Sequence, residues 1–240
     1  MMGFVVDNLP RFAKAAWITL QLAAISCALG FLIALPVALA RLSDSLILRG
    51  LSTAYVLFFC GTPLLAQIFL IYYGAGQFRP ALDSIGLWGL SRDPWFCAIL
   101  TLTLNTGAHT SEILRGAITA IPKGEIEAAR ALGFGGWLRL RLVVMPRAIR
   151  IAWPAYTNEV VYQIQATSLV SVITIMDITG VARAIGTRDF RFYEAFGMAA
   201  LFYLVLVYAV LLIAGRIEHR LSAHTRRTPG LARLIPDLTR

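Results

Sequence analysis

Charge is scarce in this chain: 15% of its 240 residues are Asp, Glu, Lys or Arg, where soluble domains carry about 25%. With 58% hydrophobic residues, an ordinary soluble domain is excluded and a membrane protein is expected. Cysteine is also sparse. Cys27, Cys60 and Cys97 all fall in apolar runs without metal-ligand spacing, which excludes a disulfide framework, redox chemistry and a metal site and predicts buried thiols. The sequence has no G-x-x-x-x-G-K-[ST] phosphate loop, no H-E-x-x-H and no G-x-S-x-G. It therefore shows no means of hydrolysing ATP or peptides, and no enzyme is expected. There is no Ser/Gly-rich linker or internal repeat, so one domain accounts for residues 1–222, and the Pro- and Gly-containing segment 223–240 reads as a loosely ordered tail.

What the chain has in abundance is long apolar runs. Ala15–Ala40, Leu51–Tyr73, Trp95–Ile121 and Ala195–Ile217 can each cross about 30 Å of hydrocarbon as a helix, and the more polar run Ile151–Met176 has similar length. An all-α membrane protein with five spans is predicted. The first run is far longer than the apolar core of a signal peptide, so Ala38-Leu39-Ala40 is read as part of an uncleaved span. With the N-terminus outside, cytoplasmic segments carry two, seven and six of the 22 basic residues and external segments only seven. The positive-inside rule then predicts N-out, C-in. The net charge of +9 is dispersed among membrane-flanking loops, which fits anionic lipid and not nucleic acid.

Inside the runs, Gly30, Ala34 and Ala38 recur every four residues, a spacing that lets helix backbones approach closely. Gly61-Thr62-Pro63 interrupts the second run, where freed carbonyls could line a path or mark a packing kink. Thr101, Asn105, His109 and Glu112 follow i, i+4, i+8, i+11 and share one helix face. Another run offers Asn158, Tyr162 and Gln165, with Glu159 and Gln163 beside them. Carboxylates at membrane depth are costly unless paired, so Glu112 and Glu159 stand out. Glu112 can pair with Arg115 three residues on, whereas Glu159 has no basic residue within a turn and points to a pathway role. For His109 both a bond to a neighbouring helix and a ligand contact stay open.

The remaining polar segment is the loop at about 122–146. Pro122 and Gly124 mark a break, then Glu125 to Leu132 reads as a short helix ending at Gly133, with Glu127 and Arg130 spaced to pair. The following "GGWLRLRLVV" alternates like a strand, but an isolated strand would leave its edges unpaired, so a second short helix reaching Pro146 is expected. A partner-docking loop and an amphipathic loop on lipid headgroups both fit these residues.

Glu127-Ala128-Ala129, three residues, Gly133, nine residues, then Val143-Val144-Met145-Pro146 resembles the EAA loop of importer membrane subunits in the ATP-binding-cassette superfamily, E-A-A-x3-G-x9-I-x-L-P. The similarity runs from about Thr19 to Arg220, through "GTPLLAQIFLIYYG", "LTLNTGAHTSEILRGAI" and "RIAWPAYTNEV", and resembles the polar-amino-acid branch, above all M-type subunits of histidine/lysine/arginine/ornithine and opine importers. The resemblance implies a permease of the bacterial inner membrane that binds no cofactor itself. Its Glu127, Ala128, Ala129, Gly133 and Pro146 would belong to the loop that docks a cytoplasmic ATPase carrying ATP and Mg. Implied partners are a second membrane subunit, identical or of a Q-type, two ATPases and a periplasmic solute-binding protein. Cys60 stands where the family often has arginine, and Gln165-Ala166 where many members have Lys-Asp. Both changes remove charge, which would leave Glu112 and Glu159 less neutralised and hint at a cationic substrate. Asn105, His109, Glu112, Glu159, Tyr162, Gln163 and Thr62 are the pathway candidates. Importers of glutamine or glutamate, an ion-coupled secondary transporter and a purely structural membrane subunit are the alternatives.

Overall fold

A computed structural model describes residues 2–222 and is all-helical over them; the tail at 223–240 lies outside the described residues. The order is α1 (Met2–Arg41), α2 (Leu46–Gly61), α3 (Leu64–Tyr72), α4 (Pro94–Thr119), α5 (Lys123–Ala131), α6 (Met145–Ala166), α7 (Ile178–Asp189) and α8 (Phe192–Ser222), with shorter turns between. Phe4–Arg41 and Phe192–Leu221 are each long and apolar enough to cross a membrane. Two bent pairs are long and apolar enough only when their two parts are taken together: Leu46–Gly61 with Leu64–Ser84, and Gly136–Ile173 with Ile178–Asp189. The 26-residue α4 is also long enough to cross by length alone.

The second apolar run does not form one kinked helix. It breaks at Thr62-Pro63, and the segments on either side turn by 106°. Pro63 has no N–H and favours extended backbone at its predecessor, which Thr62 adopts at φ −117°, ψ 147°. By contrast α1 runs on through Pro10 and Pro36.

The core forms where α1 packs along α4. Ala34 and Ala38 are fully buried against Leu114, Ala117, Ala148 and Ala152, as the small-residue stripe predicts. Gly30 sits at the crossing, where an added Cβ would lie 2.5 Å from Thr106 Cγ2 and 3.1 Å from the Gly107 backbone nitrogen. Backbone cannot yield as a side chain can. Gly30→Ala is therefore expected to cost about 1–3 kcal/mol through overpacking, seen as a lower unfolding midpoint in detergent; an unchanged midpoint would mean that the crossing is loose.

One thiol expectation fails. Cys27 and Cys97 are buried, but Cys60 is exposed on this chain because it sits beside the break, where α2 ends without a covering neighbour.

Candidate functional site

The break in the second run leaves a defined problem. Pro63 cannot donate to the carbonyl of Phe59, four residues back, and a bare carbonyl inside a membrane costs several kcal/mol. Two side chains on other segments answer it. Gln67, 2% exposed, places Nε2 2.9 Å from Phe59 O, 3.0 Å from Thr62 O and 2.9 Å from Thr62 Oγ1. Asn105 donates from α4 to the same Phe59 carbonyl at 3.0 Å and to Gln67 Oε1 at 3.1 Å. Thr62 completes the knot by donating to Phe58 O at 2.7 Å. Gln67 is not among the sequence candidates, yet it holds this knot. Its signal was a lone amide four residues after a membrane proline.

A second knot joins α4, α6 and α1. Thr106 donates to Glu159 Oε1 at 2.8 Å, and Glu159 is 8% exposed with no ion-pair partner among the described residues. One turn further along α6, Gln163 is fully buried and donates to Ser26 Oγ at 2.8 Å and Leu102 O at 3.3 Å. The Asn105 and Gln163 side-chain oxygens are buried without a hydrogen-bond partner among the described residues, so polar capacity is left over here. His109, half-buried one turn past Asn105, approaches Tyr162 with ring centroids 6.2 Å apart. Tyr162 is 46% exposed, and Asn158 and Gln165 share its outward face. Thr62 and Asn105 in the first knot, Glu159 and Gln163 in the second, and the His109–Tyr162 pair all meet at α4 and make a polar belt with Tyr162 on the chain's surface, although no hydrogen bond joins the two knots among the described residues.

Glu112 does not belong to that belt. It bridges Arg41 of α1 and Arg115, which donates from Nε at 2.9 Å. The expected pairing with Arg115 is present. The expectation that Glu112 is poorly neutralised is not met, because Arg41, 71 positions away in sequence, supplies a second cation. This cluster clamps the end of α1 to α4.

The loop helix forms as expected and ends in a Schellman turn. Phe134 N–H bonds Ala129 O at 3.0 Å, Gly133 N–H bonds Arg130 O at 2.9 Å, and Gly133 has φ +79°. Glu127 and Ala128 are exposed, while Ala129 is buried at 4% exposure beneath the helix. Glu127 makes no ion pair with Arg130 among the described residues; the pair that forms is Glu125–Arg147, 3.1 Å, tying α5 to α6. Leu132 and Trp137, 75% and 73% exposed, extend the outward face beyond the motif. After it, Gly136–Arg139 leads through a π-helical turn, Leu140–Val144, directly into α6. The wider turn relieves the clash that Pro146, at the start of α6, would make with the carbonyl four residues back.

The larger cavities lie away from the belt, at the opposite end of α1 from Arg41. The described residues thus form a helical chain with candidate membrane spans, a polar belt and an exposed loop helix. The chain belongs to the family of binding-protein-dependent transport system inner membrane components, whose model matches residues 26–223. It is 46% identical over 226 residues to the nopaline transport system permease protein NocM of Agrobacterium fabrum, covering 94% of each chain. It is also 38% identical over 214 residues to the histidine/lysine/arginine/ornithine transport system permease protein HisM of Salmonella typhimurium, covering 89% of this chain and 91% of that one. Among solved structures, a crystal structure of an amino acid ABC transporter with histidines superposes with a TM-score of 0.80 at 30% identity, covering 90% of this chain and 96% of that one.

Proposed function

We propose that this chain is the translocating membrane subunit of an ATP-driven importer for polar amino acids, most specifically basic amino acids or opines. Five spans run N-out to C-in, the second of them broken at Pro63. The observation that carries the reading is mechanical. The docking helix is pinned by Glu125–Arg147 to α6, and α6 carries Glu159, Tyr162 and Gln163 three to four turns further on. A partner that moves the loop therefore moves one wall of the polar belt.

Glu127, Ala128 and Gly133 present the contact for a cytoplasmic ATPase that holds ATP and Mg. Ala129 seats the helix from below, and Pro146 sets the start of α6. The belt opens towards a second membrane subunit, and a periplasmic solute-binding protein delivers the solute. Relatives whose names specify nopaline transport or histidine, lysine, arginine and ornithine transport support the substrate class. The buried carboxylate of Glu159, without an ion-pair partner among the described residues, supports a cationic group.

The test is uptake of labelled arginine, with lysine, histidine, ornithine, an opine and glutamine as competitors, in cells lacking the chain and cells given it back. Glu159→Gln can still accept from Thr106 but loses its charge, and uptake is expected to fall about tenfold or more, the range for a lost charge-assisted bond. Unchanged arginine uptake and lysine competition in the variant would remove Glu159 from the pathway and leave the importer assignment standing.

A further inference from the structure

Two helices present matching stripes at the end of α1 remote from the loop. On α1, Arg11, Lys14, Ala15 and Ile18 follow i, i+3, i+4, i+7. On α7, Val181, Ala184, Ile185 and Arg188 follow the same spacing. The stripes face each other across a cavity of about 430 Å³, with Met176 completing the wall. They run in opposite senses, so the cations Arg11, Lys14 and Arg188 gather at one end and the floor beyond them is aliphatic. A more polar cavity of about 630 Å³ shares Arg11 and Arg188 and adds Arg191, Asp7 and Asp189. Asp189 is taken up by Arg188 through bonds of 2.7 and 2.8 Å, so Arg11 and Lys14 remain as exposed cations without an ion-pair partner among the described residues.

Flanking aromatics mark the level of this groove. Trp17 beside Lys14 is 62% exposed, and Phe190 and Tyr193 just past α7 are 86% and 95% exposed, as side chains at a membrane–water boundary are. Cations at the boundary joined to an aliphatic floor that points along the span suit a molecule with an anionic head and a hydrocarbon tail. An amino acid would find no carboxylate for its ammonium in the 430 Å³ cavity, whose charged lining is cationic only. An acidic protein face would satisfy the cations but leave the floor uncovered.

We propose that this groove is a binding site for one anionic phospholipid, its phosphodiester held by Arg11 and Lys14 and an acyl chain lying on Ile18, Val181, Ala184 and Ile185. The site would lock α7 to α1, the contact on which Phe12, Ala15, Ile178 and Ala182 form their own buried cluster.

The experiment is native mass spectrometry of the full chain in detergent, titrated with phosphatidylglycerol or phosphatidylcholine. Phosphatidylglycerol is expected to be retained preferentially. Arg11→Gln with Lys14→Gln should cut that preference about 25-fold, at about fivefold per cation, while Arg139→Gln with Arg141→Gln, at the loop, should leave it unchanged. Ala184→Trp keeps every charge and fills the floor. It should also lower retention, and it carries the test if the double variant does not fold. Undiminished phosphatidylglycerol preference in these variants overturns the proposal. So does the outcome in which they lose binding of an acidic solute-binding protein in phosphatidylcholine nanodiscs while keeping the lipid, because the groove would then be a protein-docking face.

Discussion

Gln67→Leu is expected to lower the stability of the folded chain by about 2 kcal/mol, more than a typical interhelical hydrogen bond in a membrane, at about 0.6 kcal/mol, would suggest. The difference lies in what the substitution leaves behind. Gln67 serves the carbonyls of a helix already broken by Pro63, and leucine cannot replace its donors at Thr62 O. Phe59 O keeps Asn105, 3.0 Å away, which limits the loss. Asn105→Leu alone should cost less for the reciprocal reason. The double variant should cost more than the two losses added, because only then does Phe59 O lose both donors. Reversible unfolding in mixed detergent would read all three. A Gln67→Leu chain as stable as its parent would show that the break is solvated from outside, by lipid headgroups or by the neighbouring subunit.

Ala128→Arg separates folding from coupling. Ala128 is exposed on α5, so the new side chain can extend into open space and stability should stay within about 0.5 kcal/mol. ATP-dependent uptake should nevertheless fall at least about tenfold, because a long cation replaces a methyl group at the centre of the proposed docking face and cannot be desolvated there without a partner. Gly133→Ala should act differently. At φ +79° it strains the turn by roughly 1–2 kcal/mol, loosening the helix end without altering the contact face. Normal uptake by an Ala128→Arg chain present at normal level in the membrane would move the docking surface elsewhere on the loop, towards Leu132 and Trp137.

Several features were legible because they depend on residues near each other in sequence. The Gly133 stop follows from a helix-forming segment meeting a residue free to take positive φ. The break at Thr62-Pro63 follows from proline's missing N–H, although only the structure shows a turn of 106° and not a mild kink. The stripe Gly30, Ala34, Ala38 predicted close helix contact without naming the partner, which is α4. Placing Thr101, Asn105, His109 and Glu112 on one face was sound geometry, yet they divide: Asn105 and His109 join the belt, whereas Glu112 is claimed by Arg41. A periodicity fixes positions around one helix axis, and it says nothing about which residues of distant helices meet them.

The sequence by itself determined that the chain is helical and apolar enough for a membrane, where the loop helix starts and stops, and which family its loop resembles. These follow from transfer free energies, backbone freedom and spacing, which are local properties of the chain. Tertiary structure alone decided that Gln67 and Asn105 repair the carbonyls freed by Pro63, that Arg41 neutralises Glu112, that Ala129 faces inward, and that α1 and α7 set their stripes across one groove. Each depends on how helices far apart in the chain rotate and stack. That choice is made by burying the most apolar area while leaving the fewest polar groups unpaired across the whole molecule.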